Sequence, residues 1–328
     1  MYDLATRISH SDKGFRVLNG LGLPRGDISQ TVVLAGSPRS GTTWLAELLS
    51  TMSGYTLLDE PLHLRWPAVK ETGIDEWRPY VGKNDDCPNV SGYIERALSG
   101  RVACNRQFQS QNQVSKLYEL LAGKKNVVKF VRANRMLNWM AAQFEVRGIV
   151  LMLRHPCAVV ASQLKYKRSG WRRTEPPPPS ERQEAFGGWI PDEVFTRFEP
   201  VLAEVDSTAA RLAAVWCLDT YFPLREAGSF PGIITTYEGL LTRQEQEVTR
   251  IFKALGSEMP AQALQSFNEH SYSASQDLRT EDIEAQLGKW RKKLDSDQVD
   301  DVLRIVERFG LDFYSEKLEP DYEALISF

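Results

Sequence analysis

The sequence is poor in the residues that most often build metal and redox centres. Only four cysteines and four histidines occur among its 328 residues. No two cysteines form a CxxC pair, and the histidines form no HxxxH pair. We therefore expect neither a structural zinc site nor a dithiol redox centre. The cysteines are expected to be ordinary thiols: Cys87, Cys104, Cys157 and Cys217.

Long hydrophobic runs and an excess of positive charge are also missing. The net charge is −3, so no basic field predicts a nucleic-acid partner or a membrane surface. No apolar run reaches the length of a transmembrane segment, and the first 25 residues lack the apolar stretch of a signal peptide. A cytoplasmic protein is the expectation, while a piece of a secretory-pathway enzyme stays open.

What is present is ordinary globular composition, with 42% hydrophobic and 25% charged residues. Short apolar runs alternate with helix-like periods, which predicts a doubly wound, mainly parallel α/β sheet with helices on both faces. We predict one domain over residues 1–328, with its core at about 28–315. The predicted strands are Thr31–Ala35, Tyr55–Leu58, Val127–Val131, Ile149–Leu153 and Gly232–Thr236. The predicted helices are Thr42–Met52, Val114–Ala122, Met136–Val146, Pro156–Tyr166, Ser207–Ala227 and Gln244–Leu255.

The segment Lys165–Ile190 breaks this alternation. It carries five positive charges, then four consecutive prolines at 176–179 and two glycines at 187–188. Such a stretch is too polar and proline-rich for core, so we predict a surface loop. A lid over a ligand and a proline-rich peptide for another domain are the alternatives.

The strongest motif follows the first predicted strand and reads AGSPRSGTTWL over residues 35–45. Gly36 and Gly41 allow a tight turn and close approach of the backbone to an anion. The amides that open the next helix point at that anion, and Thr42 and Thr43 add hydroxyl donors. The sequence therefore predicts an anion cradle between a strand and a helix.

The spacing of this motif almost matches the nucleotide P-loop GxxxxGK[ST], but Thr42 stands where the lysine would be. The positive charge comes instead from Arg39 inside the loop. We therefore expect an anion site without a metal ion rather than a magnesium-dependent triphosphate site. A P-loop kinase or NTPase and a non-catalytic nucleotide-binding protein are the alternative functions.

The stretch SPRSGTTWL at 37–45 resembles the 5′-phosphosulfate loop of PAPS-dependent sulfotransferases, and within that family it is most similar to carbohydrate and bacterial members. The resemblance implies a P-loop NTPase-like fold, PAPS (3′-phosphoadenosine-5′-phosphosulfate) as sulfuryl donor, and PAP as the desulfated product. It places seven residues against the donor: Pro38, Arg39, Ser40, Gly41, Thr42, Thr43 and Trp44.

Three further segments carry the resemblance. VLMLRHP at 150–156 is similar to the family's 3′-phosphate motif, with Arg154 at the strand end and Ser162 eight residues later. A guanidinium there can form a forked contact with a phosphate. Family members usually have Asp at His155. The segment TTYEGL at 235–240 resembles YEDL, which implies Tyr237 near the adenine, and GKW at 288–290 implies Lys289 and Trp290 over the 3′-phosphate end.

Sulfuryl transfer needs a base for the acceptor hydroxyl and positive charge for the leaving oxygen. Arg39 and the loop amides are predicted to supply the charge. Many cytosolic sulfotransferases have a histidine base in a KTH segment, but the similar stretch at 129–132 has Val131 at that position. Glu60, in the segment LDEPLH that resembles EPL of carbohydrate sulfotransferases, is therefore our candidate base, with His63 as its rival.

The acceptor is less constrained than the donor. The EPL resemblance favours a hydroxyl of a carbohydrate or a glycosylated natural product, and another small alcohol or phenol is the alternative. Aromatic side chains could stack on any of these acceptors. Candidates for that role are Trp66, Trp77, Tyr80, Trp139 and Trp171.

Overall fold

A computed structural model provides the fold of the chain. It describes residues 4–21, 26–108, 112–121, 125–165, 185–225, 231–261, 263 and 283–328. Six strands form one sheet in the order β3-β2-β4-β1-β5-β6. They are β1 Val32–Ala35, β2 Tyr55–Asp59, β3 Asn105–Gln107, β4 Lys125–Phe130, β5 Gly148–Leu153 and β6 Ile233–Thr236. Only β3 runs antiparallel to its neighbour in this sheet.

Helices connect and cover these strands. The α-helices are α1 Leu4–Ser9, α2 Asp12–Gly20, α3 Thr42–Leu49, α4 Pro67–Lys70, α5 Pro88–Leu98, α6 Gln113–Leu121, α7 Leu137–Gln143, α8 Pro156–Lys165, α9 Asp192–Ala203, α10 Thr208–Arg225, α11 Tyr237–Thr242, α12 Gln244–Ala254, α13 Ile283–Leu287, α14 Ser296–Arg308 and α15 Tyr322–Ser327. Short 3₁₀ helices span Ile28–Gln30, Asn134–Met136 and Gly288–Lys292. Within the described residues, no helix has both the length and the apolar character needed to cross a bilayer. The cytoplasmic location stays a prediction.

The side chains of the central strands pack alternately into two cores. In β1, Val33 and Ala35 join a core with residues of α5, α7, α8 and α10. Val32 and Leu34 face the other side and pack with residues of α3, α11 and α12. Because successive strand residues point to opposite faces, a strand buried on both sides must be apolar throughout. This confirms the predicted α/β class and explains the continuous apolar runs.

The strands that follow β1 in the chain lie first on one side of it and then on the other. From β1 the chain passes through α3 to β2 and returns to β4 on one side, whereas β5 and β6 lie on the other side. Ligands of open α/β sheets bind at such a switch point, beyond the carboxyl ends of the strands. The predicted anion loop leaves β1 at this point.

The structure differs from the sequence prediction in one strand and in several helices, since α5, α9 and α14 were not predicted. The strand β3 was not predicted, because it has only three residues and all three are polar. The predicted helix Met136–Val146 is a 3₁₀ turn followed by the shorter helix α7. Residues 166–184 of the predicted loop Lys165–Ile190 lie outside the described residues. The end of that loop is not a solvated surface, because Phe186 and Ile190 are fully buried in the core.

Candidate functional site

The anion loop at 36–41 is held tightly between β5 and the start of α11. A side chain at Gly36 would place its Cβ 2.5 Å from the carbonyl oxygen of Met152, and one at Gly41 would meet the ring of Tyr237 at 2.7 Å. Gly41 has φ +92° and Arg39 has φ +78°, so both adopt the left-handed conformation. Such a conformation is rare for arginine and costs roughly 1–3 kcal/mol. The surrounding packing therefore imposes the loop shape.

The two predicted phosphate motifs meet directly. Nε of Arg39 donates to Oγ of Ser162 on α8 at 3.0 Å. Nη1 of Arg154, just beyond β5, donates to the carbonyl oxygen of Arg39 at 2.9 Å. The amide of Gln163 donates to the carbonyl oxygen of Pro38 at 2.9 Å. The structure thus brings Arg39, Arg154 and Ser162 into one group, which we call the donor cluster.

The side chain of Arg39 contacts the second phosphate motif. Its Nε lies on Ser162, and its role at the sulfuryl end of the loop stays a prediction. Sequence spacing fixes where the backbone turns and leaves the rotamer of a long side chain open. The charge at the opposite end of the loop comes from another strand.

Lys129 of β4 supplies that charge. Its ammonium lies 3.2 Å from Oγ1 of Thr43 and 2.6 Å from a carboxylate oxygen of Asp59 at the end of β2. All three side chains lie at the carboxyl edge of the sheet, next to the first turn of α3. Neither Lys129 nor Asp59 is among the site residues predicted from the sequence. Their positions at the ends of two adjacent strands were the signal that could have found them.

Tyr237 and Trp44 line the other side of the loop. The guanidinium carbon of Arg154 lies 4.0 Å from the centroid of the Tyr237 ring. The hydroxyl of Tyr237 accepts from the amide of Gln286 at 2.9 Å, and Trp44 meets its ring edge-on at 5.8 Å. The structure therefore places three predicted donor-binding residues, Trp44, Arg154 and Tyr237, around one corner of the loop.

Behind Arg154, His155 forms a buried polar cluster. Its Nδ1 accepts from the backbone amide of Cys157, and its Nε2 lies 2.8 Å from the carbonyl oxygen of Ser315. These partners assign the proton to Nε2. Burial lowers the pKa of His155 to about 4. A carboxylate oxygen of Glu238 accepts from the backbone amide of His155, and the other accepts from the hydroxyl of Tyr314.

Of the predicted residues Lys289 and Trp290, the structure shows Trp290 in contact with His155. Trp290 is buried and stacks on the imidazole, with ring centroids 4.8 Å apart. Lys289 is half-buried. Trp290 thus contacts the residue next to Arg154 and holds the C-terminal part of the chain against the end of β5.

Glu60 follows β2 with a φ of +57°, which turns the chain sharply at the sheet edge. A carboxylate oxygen of Glu60 accepts from Nη1 of Arg132 at 2.8 Å. Burial raises the pKa of Glu60, while the nearby charges of Lys129 and Arg132 lower it. The net effect is a raised pKa, which a general base near neutral pH requires.

His63, the rival base, lies in the same turn. Its Nδ1 accepts from the backbone amide of Arg65 at 3.1 Å. Its ring meets the edge of Trp77 at 5.6 Å, and Arg132 lies over the same Trp77 ring at 4.6 Å. Glu60, His63 and Trp77 therefore form one neighbourhood around Arg132.

Comparisons of the sequence with protein-family models and with curated proteins give no match. The fold is similar to solved structures of sulfotransferases. Mouse sulfotransferase SULT7A1 complexed with PAP has 15% identity and a TM-score of 0.44, covering 92% of this chain and 91% of that chain. The sulfotransferase domain of the Synechococcus PCC 7002 olefin synthase has 16% identity and a TM-score of 0.45, covering 85% and 94%.

A third similar structure is STF1 from Mycobacterium tuberculosis H37Rv, with 15% identity, a TM-score of 0.41 and coverage of 92% of this chain and 81% of that chain. Identities and TM-scores this low do not assign an activity. The activity has to be inferred from the site residues themselves.

Proposed function

We propose that this protein is a sulfotransferase that moves a sulfuryl group from PAPS to an acceptor hydroxyl. The observation that carries this proposal is the contact between the anion loop and the donor cluster. Two anion-binding motifs lie side by side, one at the start of α3 and one formed by Arg39, Arg154 and Ser162. This pairing suits a donor with phosphates at two separate positions better than a linear triphosphate.

Unpartnered polar atoms support the fit of such a donor. Oγ of Ser40 and Nε of Arg154 are buried and have no hydrogen-bond partner among the described residues. A buried donor left without a partner costs roughly 1–3 kcal/mol. Phosphate oxygens would accept from both atoms. Arg154 would hold the 3′-phosphate, Ser40 and the opening amides of α3 would hold the 5′-phosphate, and Tyr237 would contact the adenine.

The surroundings of Thr43 do not favour the alternative of an ATP-dependent phosphotransferase. A P-loop hydroxyl and a strand-end aspartate commonly hold Mg²⁺ in such enzymes. Here the ammonium of Lys129 contacts both Thr43 and Asp59.

In the proposed reaction, Glu60 accepts the proton of the acceptor hydroxyl. That oxygen forms a bond to sulfur while the bond between sulfur and the bridging oxygen of the donor breaks. The electron pair of the broken bond stays on the leaving phosphate, and Lys129 and the loop amides stabilise the charge that develops there. Arg132 keeps the Glu60 carboxylate oriented toward the acceptor.

The acceptor is a carbohydrate or a glycosylated natural product in this proposal. Trp77 supports it, because this residue is 48% exposed and its ring contacts His63 and Arg132. An exposed aromatic face of this kind packs against the apolar face of a sugar ring. A phenol would stack there too, so sugars and phenols are both tested as acceptors.

Two measurements test the proposed function. Calorimetry should detect tight binding of PAP in the absence of Mg²⁺ and much weaker binding of ATP. A screen of hydroxylated sugars and phenols with PAPS, monitored by mass spectrometry, should detect a sulfated product. Magnesium-dependent binding of ATP, together with no binding of PAP, would contradict the proposal.

A further inference from the structure

Four arginines follow one another on the acceptor side of the site. We call Arg65, Arg78, Arg132 and Arg135 the arginine row. The charges of Arg65 and Arg78 both act on Arg132, and Arg78 also acts on Arg135. Arg65 is exposed, whereas the side chain of Arg135 is fully buried. The row therefore runs from the surface, past Glu60, into the protein.

The carboxylates around the row do not balance its charge. Glu60 pairs with Arg132, while Asp219 accepts from Nε of Arg78 at 2.8 Å and from Nε of Arg135 at 3.1 Å. Glu76 is the third nearby carboxylate and acts on Arg135. Within the part of the chain that the structure describes, four guanidinium groups against three carboxylates leave one positive charge. The arginine of the row without a carboxylate contact in this part of the chain is Arg65, at its exposed end.

Two guanidinium nitrogens of the row also lack hydrogen bonds. Nε of Arg132 and Nη1 of Arg135 are buried and have no hydrogen-bond partner among the described residues. Asp219, the carboxylate between Arg78 and Arg135, is fully buried and cannot move to a second position without leaving one of them. The row thus has both positive charge and hydrogen-bond donors to spare.

The row lies next to the surface on which we place the acceptor. Arg132 stacks over the exposed ring of Trp77, and Arg78 is the next residue, donating from Nη1 to the carbonyl oxygen of Trp77. Arg65 lies over the neighbouring ring of Trp66 at 4.3 Å. A ring packed on Trp77 would therefore have its substituents beside arginine side chains.

We propose that the acceptor carries a carboxylate, bound by the arginine row next to the hydroxyl that Glu60 deprotonates. One surplus positive charge matches one carboxylate, whose two oxygens fit the forked donors of a guanidinium. When Glu60 takes up the proton, it becomes neutral and the surplus rises to two charges. With the carboxylate of the acceptor bound, the same step leaves a surplus of one positive charge instead of two. This inference rests on the proposed function.

The test compares acceptors that differ only in charge. The probes are p-nitrophenyl β-D-glucuronide with its methyl ester, and p-hydroxyphenylacetate with its methyl ester. We expect the ratio of kcat/KM for acid over ester to be about tenfold or more in at least one pair. The ratio should fall in 0.5 M NaCl, because salt screens the exposed end of the row.

Arg65→Gln should reduce this ratio at least about threefold, because it removes the exposed charge of the row. Arg304→Gln is the matched control, since Arg304 lies on α14 and pairs with Asp301 of that helix and with Glu204 after α9, and its ratio should equal that of the wild type. Arg78→Lys is a second variant, because it keeps the positive charge but replaces the forked donors of the guanidinium with a single ammonium. The ratio of kcat/KM for acid over ester should fall in this variant. Binding of PAP shows that the variant is folded.

If no probe is sulfated, calorimetry on the PAP-saturated protein gives the answer, because the glucuronide should bind more tightly than its ester. Esters that bind or react as well as the acids overturn the inference and leave the proposed function intact. Failure of the wild type to bind PAP would instead refute the proposed function.

Discussion

The two halves of the site treat positive charge differently. On the donor side, around β5 and α8, contacts of Arg39 and Arg154 are to a hydroxyl, a carbonyl oxygen and an aromatic ring. On the acceptor side, at the ends of β2 and β4, Lys129 pairs with Asp59 and Arg132 pairs with Glu60. The contacts of Arg154 on the donor side are thus to neutral groups, whereas Lys129 and Arg132 on the acceptor side lie in ion pairs with carboxylates.

This difference suits two kinds of chemistry. A highly charged cosubstrate binds best where cations meet neutral groups that do not compete for them. Proton transfer needs a carboxylate whose pKa is set by burial and by nearby cations, as at Glu60. Mutations on the donor side should therefore change binding, and mutations on the acceptor side should change turnover.

The largest expected effect is on turnover in Glu60→Gln. Glutamine keeps the size of the side chain and one acceptor oxygen but cannot take up a proton. We expect kcat to fall about a hundredfold or more, the usual scale for loss of a general base, while the dissociation constant for PAP is unchanged. Steady-state kinetics and calorimetry measure the two quantities.

His63→Asn is the control, because it removes the rival base in the same turn. An active Glu60→Gln with an inactive His63→Asn would move the base to His63. In the wild type, burial raises the pKa of Glu60, so kcat/KM should fall as the pH falls through a value above 4.5. Glu60→Gln should lack this decline.

The second expected effect is a loss of stability at low pH, and it comes from His155, the residue next to Arg154 of the donor cluster. Burial lowers the pKa of His155 to about 4, from about 6.5 in an unfolded chain. Between these values the unfolded chain binds a proton that the folded protein does not. Stability is therefore present above about pH 6.5 and is lost as the pH falls toward 4. Over the whole interval between the two pKa values, the free energy of unfolding falls by about 3 kcal/mol.

Urea unfolding of the wild type and His155→Gln between pH 7 and pH 4.5 measures this loss. The wild type should lose more free energy of unfolding than the variant over that range. Parallel pH dependences of the two proteins would show that the imidazole is protonated in the folded state as readily as in the unfolded chain.

The third effect is on donor binding. Arg154→Ala removes the guanidinium that holds the carbonyl oxygen of Arg39, and Arg39→Ala removes the side chain on Ser162. Each charge-assisted contact contributes roughly 1.5–3 kcal/mol, so each variant should bind PAP at least about tenfold more weakly. An unchanged dissociation constant in a folded variant would exclude that arginine from the donor site.

The sequence predicts most of the fold because the central strands are apolar on both faces. Five strands and the helices α3, α6, α7, α8, α10 and α12 were predicted from this pattern, whereas α5 after β2 and α11 after β6 were not. The strand β3 has the polar sequence Asn-Arg-Gln and pairs only at an edge, so its residues carry no such pattern. Phe186 and Ile190 were misjudged, because prolines and charges nearby masked two residues that reach the core.

In the site, the sequence predicts which residues lie at the sheet edge but not which side chains meet. Arg154 and Ser162 were found by their places after β5 and on α8, and the structure brings both to Arg39. The pairs Lys129–Asp59 and Arg132–Glu60 join strands that are far apart in the chain. Such pairs depend on strand order, which local patterns do not encode.

The smallest expected effect is that of metal removal, for which we predict no change in the rate of transfer. Lys129 lies between Thr43 and Asp59, where its ammonium supplies the positive charge that Mg²⁺ supplies in P-loop kinases. The rate with PAPS should therefore be the same in EDTA and in MgCl₂, with a magnesium-dependent kinase in the same buffer as the control for chelation. A loss of activity in EDTA that Mg²⁺ restores would mean that Asp59 exchanges Lys129 for a metal ion during turnover. The positive charge next to Asp59 on the acceptor side would then come from a metal ion rather than from an ion pair with Lys129.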